Sequence, residues 1–189
     1  MTPETSPNTT RRADAERNRE KILETARTAF AESGGKISLA EISRRAGVGM
    51  ATLYRNFPGR RELLEALYVD EVDAICAAAE TIEGDTPGAV LDAWLHRFVE
   101  FFVSKHEIAD ELLAQPDVDD AVFDNNRARV MAAGQPLLAA AQESGEIRTD
   151  LNLEQVLDLV IAVSRIRGDT DYLDPILQAA LAGIRAGAT

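Results

Sequence analysis

Nowhere in this chain of 189 residues does an apolar–polar alternation of period two persist; between clusters of Gly, Pro and Asp, apolar side chains recur three and four residues apart. A chain patterned this way buries one stripe of each helix against other helices, so the expected class is all-α. At 46% hydrophobic residues it can bury a sizeable core, and its length suits one domain or a small domain joined to a medium one.

The punctuation divides the pattern. Residues 1–14, rich in Thr, Pro, Ser and Asn, read as a disordered arm. A first helix is expected from about Ala15 to Ser33, with Ile22, Leu23, Ala26, Ala29 and Phe30 on one stripe and Gly34-Gly35 as its stop. Ser38-Leu39-Ala40-Glu41 is a capping box, in which the Ser hydroxyl takes the Glu backbone N–H and the Glu carboxylate reaches back to the Ser N–H. The helix it starts is short, because Gly47 follows Arg44-Arg45-Ala46 and supplies a turn. A third helix runs from about Met50 to Asn56 and is barred from continuing by Pro58.

Two short helices joined by a Gly-containing turn and buttressed by a preceding amphipathic helix are the signature of a helix-turn-helix. Leu39, Ile42, Ala46, Val48, Leu53 and Phe57 can converge on the first helix. The second short helix then presents Met50, Ala51, Thr52, Tyr54 and Arg55, small residues that permit close approach to a groove beside hydroxyl and guanidinium groups that bond phosphates or base edges. Tyr54 can instead pack on its own domain. Arg44 and Arg45 can bind phosphate from the supporting helix or serve only solubility.

The stretch from Lys21 through Ala46-Gly-Val-Gly-Met-Ala-Thr-Leu-Tyr-Arg-Asn-Phe to Leu63-Leu64 resembles the DNA-binding domain of the TetR (tetracycline-repressor) family. The likeness spans roughly Arg19 to Tyr68 and rests on the joint spacing of Ala26, Phe30, Ile42, Gly47, Val48, Leu53, Tyr54 and Phe57. It implies that Thr52, Tyr54 and Arg55 touch bases or phosphates and that Arg60, opening the fourth helix, approaches the backbone. Gly49 stands where Ser or Asn commonly caps the recognition helix, and Met50 where a polar residue often reads bases. The resemblance implies an N-terminal DNA-binding domain (15–59) and a C-terminal helical ligand-binding and dimerisation domain (60–189). It also implies a homodimer on a palindromic operator, released by a small molecule.

Beyond Arg60 the residues speak for themselves. A long helix carries Leu63, Leu64, Leu67, Tyr68, Val72 and Ile75 and ends before Glu83-Gly84-Asp85. Thr86-Pro87 opens the most aromatic helix, with Trp94, Phe98, Phe101 and Phe102. Further helices are expected within Glu107–Ala114, from Asp119 to Ser144 with Pro136 as a possible break, from Leu153 to Arg167, and from Pro175 to Ala186 behind an Asp174 cap. Trp94, Phe98, Phe102, Phe123, Met131 and Leu138 can line an apolar or amphipathic ligand pocket, or simply fill a core. Val156, Val160, Val163, Ile176, Leu177 and Leu181 are the candidate dimer interface, in the helix pair that the resemblance places against a symmetry mate; the alternative is that they cover their own domain.

Asp92, His96 and Glu100 share a helix face but read as a solvated stripe, with His106 the only other histidine. No HExxH, P-loop or Gly-rich dinucleotide motif stands in the chain, so neither enzyme chemistry nor a cofactor or metal is expected. Net charge is −12, which argues against nucleic acid until it is divided: residues 1–69 hold 12 Lys and Arg against 9 Asp and Glu, the remainder 8 against 23. With no apolar run of membrane-spanning length and a single cysteine, Cys76, taken as a small buried residue, the expected location is the cytoplasm. A DNA-binding regulator is the reading; a helical protein-binding adaptor on the same fold is the alternative.

Overall fold

The computed structural model describes residues 7–33, 37–114 and 120–187. They form α1 (Pro7–Ser33), α2 (Leu39–Ala46), α3 (Met50–Asn56), α4 (Arg60–Thr81), α5 (Pro87–Leu113), α6 (Asp120–Glu143), α7 (Leu153–Ser164) and α8 (Thr170–Gly183). The fold is all-α, and no helix among the described residues is long and apolar enough to cross a membrane. Two compact units result, one of residues 1–68 with 106–118 and one of 69–105 with 119–189. The division falls inside α4, after Tyr68, and not before Arg60. Leu63, Leu64, Leu67 and Tyr68 on its first turns are buried and complete the core of the first unit.

In the first unit, α1, α2 and α3 pack on one another around Ile22, Ala26, Phe30, Ile42, Ala46, Leu53 and Phe57, each at most 1% exposed. The end of α5 belongs to this unit and buries Ile108 and Leu112. Aromatic rings here also carry cations, with the Arg19 guanidinium 4.6 Å from the Phe57 centroid and Arg60 5.2 Å from that of Phe30.

The second unit gathers Val72, Ile75, Leu91, Trp94, Leu95, Phe98, Leu138, Val156 and Val160. Trp94 is fully buried, and its indole N–H donates to the Ile75 carbonyl at 3.2 Å. Gly134 on α6 is what lets the ring lie there, because a Cβ at that position would stand 2.4 Å from the Trp94 ring.

Several helix boundaries differ from those expected. α1 begins at Pro7, so only residues 1–6 of the expected arm lie outside the described residues, as do Gly34-Gly35 and Asp119. The two segments expected on either side of Lys105 are one helix, α5: no Gly or Pro interrupts it, and Phe101, Ile108 and Leu112 keep the helical period. Pro136 does not split α6, and α8 starts at Thr170 behind an Asp169 cap, with Pro175 inside it. Each proline forfeits one intrahelical bond, but the buried Leu138 and Leu177, two residues beyond Pro136 and Pro175, anchor the helix just after each. Cys76 is half-buried rather than enclosed, and burial pushes its thiol up.

Candidate nucleic-acid interface

The helix-turn-helix is set by local chemistry. Ser38 stands in extended conformation at the α2 N-cap and accepts from the Glu41 N–H at 3.2 Å. Gly47 closes α2 in the left-handed region, φ +63°, with its N–H on the Arg44 carbonyl. The turn is locked by Val48 N–H to the Ser43 carbonyl at 3.1 Å and by the Ser43 hydroxyl donating to the Val48 carbonyl at 2.6 Å. α3 then starts from Gly49, whose carbonyl takes the N–H groups of Thr52 and Leu53 and which offers no side-chain cap.

On α3 burial separates neighbours. Leu53 is fully buried, whereas Tyr54 is 48% exposed, Ala51 and Arg55 are exposed, and Met50 and Thr52 are half-buried. Arg55 folds back along its own helix, donating to the Thr52 hydroxyl at 3.0 Å and the Ala51 carbonyl at 3.2 Å. Asn56 donates to the Thr52 carbonyl at 2.8 Å. Ala51, Thr52, Tyr54 and Arg55 thus form one solvent-facing surface of small, hydroxyl and guanidinium groups.

Arg44 and Arg45 are exposed on α2 but engaged. Arg44 grips Glu41 with two bonds, 2.7 and 2.8 Å, and Arg45 bridges Glu41 at 2.8 Å and Glu32 at 2.6 Å. These bonds, Arg44's first, hold the Glu41 carboxyl down to about 2. The carboxylate therefore serves the two arginines and not the Ser38 N–H, so only one half of the expected capping box forms.

Arg60 is turned into the first unit. Its guanidinium donates to Glu111 of α5 at 2.9 Å and to the Ile37 carbonyl, and it is half-buried over Phe30. Two basic side chains of α1 were not singled out in the sequence: Arg19 on Phe57, and Lys21, whose ammonium lies 3.6 Å from where a Cβ on Gly47 would be. Only the knowledge that α1 crosses beside the turn exposes them, because their spacing alone matches an ordinary solvated face.

The residues expected to line a pocket take mixed positions in the second unit. Trp94, Phe98 and Leu138 are buried, while Phe102, Phe123 and Met131 are half-buried. Phe98 anchors the aromatic series, with ring centroids 5.9 Å from Trp94, 5.6 Å from Phe101 and 6.5 Å from Phe102. The Arg165 guanidinium stands 5.6 Å from the Phe102 centroid. His96 has Nδ1 2.8 Å from the Asp92 carbonyl and Nε2 3.0 Å from Gln178, and Glu100 pairs with Arg97 at 2.6 Å.

The expected dimer residues need correction. Val156, Val160, Val163, Leu177 and Leu181 are at most 7% exposed within the single chain and form its own core, because they face the body of the second unit. Ile176 is half-buried. The large apolar groups left outside on this pair of helices and their connection are Leu159, Ile166 and Tyr172, at 38%, 38% and 58% exposure; Ala162 and Ala179 are exposed on the same two helices.

Known proteins converge on the same reading. Residues 22–67 match the model for bacterial regulatory proteins of the tetR family, and residues 86–186 match the C-terminal domain of SbtR-like transcriptional regulators. A TetR transcriptional regulator of Streptomyces coelicolor is 32% identical with a TM-score of 0.76, covering 90% of this chain and 99% of its own. A TetR regulatory protein of Mycobacterium vanbaalenii is 31% identical with a TM-score of 0.75, covering 92% and 98%. An HTH-type transcriptional regulator of Mycobacterium bovis is 29% identical over 175 residues, 85% of each chain. With both of its parts matched and with homologues of the same architecture over nearly its full length, the chain belongs to the TetR family of DNA-binding transcriptional regulators and is not an enzyme.

Proposed function

We propose that the protein is a repressor that binds a palindromic operator as a homodimer and is released by a small apolar or amphipathic ligand. One observation carries the DNA reading: Leu53 is fully buried while Tyr54 and Arg55 beside it are exposed and Thr52 is half-buried. An exposed tyrosine and arginine on a helix two turns long, anchored by a buried leucine, are what insertion into a groove requires. Arg44 and Arg45 flank this face as phosphate contacts, sharing their charge with Glu41 and Glu32, and Met50 and Ala51 give the close approach. Arg60 acts from inside the first unit.

The dimer is supported by the exposed Leu159, Ile166 and Tyr172, on α7, the α7–α8 connection and α8, two helices whose buried faces are already used. The ligand reading rests on the half-buried Phe102, whose ring centroid is 6.5 Å from that of the buried Phe98, and on the half-buried Phe123 and Met131 of α6. Release follows if the ligand prefers a dimer whose recognition helices no longer sit about 34–36 Å apart. α4 and α5 each have an end in either unit and are the natural connection.

Selection from a pool of random DNA duplexes tests the function. The wild type is expected to enrich an inverted repeat with half-sites about one helical turn apart, and the Tyr54→Ala/Arg55→Ala variant to enrich nothing. A pool that stays random with folded wild-type protein overturns the reading in favour of a protein-binding adaptor.

A further inference from the structure

What a cation can offer a phosphate depends on what already neutralises it, because a side chain held by a carboxylate must first give up that partner. In the first unit Arg17, Arg27, Arg44, Arg45, Arg60 and Arg61 are each ion-paired with a carboxylate. Among the described residues of that unit, the basic side chains in no such pair are Arg19, Lys21 and Arg55, and all three are exposed.

These three converge on α3. Arg55 belongs to it. Arg19 reaches its exit, where the guanidinium lies 4.6 Å from the ring centroid of Phe57, the residue that closes α3 with its N–H on the Leu53 carbonyl at 2.8 Å. Lys21 reaches its entry, with the ammonium over the Gly47 turn, 3.6 Å from where a Cβ on that glycine would stand. Two residues apart on α1, they thus place one positive charge at each end of the helix that carries Tyr54 and Arg55. A plain packing role for Arg19 would use only the face of its guanidinium on Phe57. The N–H donors at the edge of a stacked guanidinium remain available, in the fork that matches two phosphate oxygens.

We infer that Arg19 and Lys21 hold the DNA backbone on the two flanks of α3, Arg19 as a stacked fork on one phosphate and Lys21 as a point charge on another. The inference rests on the DNA reading above and adds where the duplex is gripped. Phosphates are alike at every sequence, so these contacts fix the position and register of α3 and leave the choice of bases to its exposed face.

Fluorescence anisotropy at a series of salt concentrations tests this on the duplex that the wild type selects, with Arg19→Gln, Lys21→Gln and Arg27→Gln. The last removes the same charge from the same helix, but from a side chain already paired with Glu24. The log–log slope is expected to become shallower by about 0.9 in each of the first two variants and about 1.8 in their combination. Arg27→Gln should keep the wild-type slope, and Arg19→Lys, which retains the charge, should restore it. Repeating the selection with Lys21→Gln should enrich the same inverted repeat. Melting by circular dichroism verifies folding; should loss of the Phe57 contact unfold Arg19→Gln, Lys21→Gln decides alone. Wild-type slopes in the folded variants, an equal change in Arg27→Gln, or a different selected sequence would each overturn this inference and leave the DNA reading standing. A wild type that binds no duplex overturns both.

Discussion

The two units use their surfaces in opposite ways. The first is close to electrically balanced, with 12 Lys and Arg against 13 Asp and Glu, and completes its apolar core beneath a face of Thr52, Tyr54 and Arg55. The second is strongly acidic, yet it leaves Leu159, Ile166 and Tyr172 outside a core that is already closed. One surface suits a polyanion and the other an apolar partner. An acidic second unit repels a polyanion, so on the proposed reading DNA meets the first unit and not the second.

The largest expected effect separates core from interface on α7. Val160→Glu buries a charge with no partner and should cost about 3–5 kcal/mol, read as loss of cooperative melting by circular dichroism. Leu159→Glu, one residue away and exposed, should keep the helical signal while shifting light scattering from dimer to monomer. If Val160→Glu instead gives well-folded monomers, the contrast between the two faces is broken. The same logic applies on α3, where Leu53→Ala should cost about 2–5 kcal/mol and Tyr54→Ala about 0.5 kcal/mol or less, measured by urea denaturation. Tyr54→Ala should nevertheless weaken operator binding.

A smaller effect sharpens the roles of the arginines. In salt titrations of DNA affinity, Arg55→Ala should make the log–log slope shallower by about 0.9, one phosphate's share. Arg60→Met should leave the slope unchanged while lowering thermal stability, because its guanidinium is committed to Glu111 and the Ile37 carbonyl. The smallest effect concerns pH. Glu146 accepts from the Thr86 and Ser144 hydroxyls and the Gly88 N–H and is therefore ionised in the fold below its ordinary range, so its contribution is present above the unfolded value and is lost as pH falls through the folded one. Glu146→Gln should lower Tm at pH 7, and the gap from wild type should close on acidification below about pH 4. A gap independent of pH would show that geometry, not charge, matters there.

What could be read beforehand follows the same division. α2 and α3 are bounded by residues with a single structural consequence: Ser38 caps, Gly47 takes the left-handed turn, Pro58 stops. Their ends were legible to the residue. α5, α6 and α8 run through a polar stretch or a proline because buried side chains far apart in sequence hold them, and no local signal reports that. The solvent-exposed side of α3 was legible because a short helix with one buried residue leaves few choices. The dimer residues were misjudged because Val160 and Leu159 are equally apolar, and only the packed structure tells which faces inward. Arg60's partner Glu111 lies 51 residues away, beyond any motif.

The most direct test of the central claim is fluorescence anisotropy of a labelled duplex carrying the selected site, titrated with wild type and with Tyr54→Ala while thermal melting of both proteins is recorded. The account predicts a loss of affinity of at least about ten-fold, or 1.4 kcal/mol, with superimposable melting curves. Equal affinity, or a collapse of melting in the variant, would contradict the assignment of the exposed face of α3 to DNA.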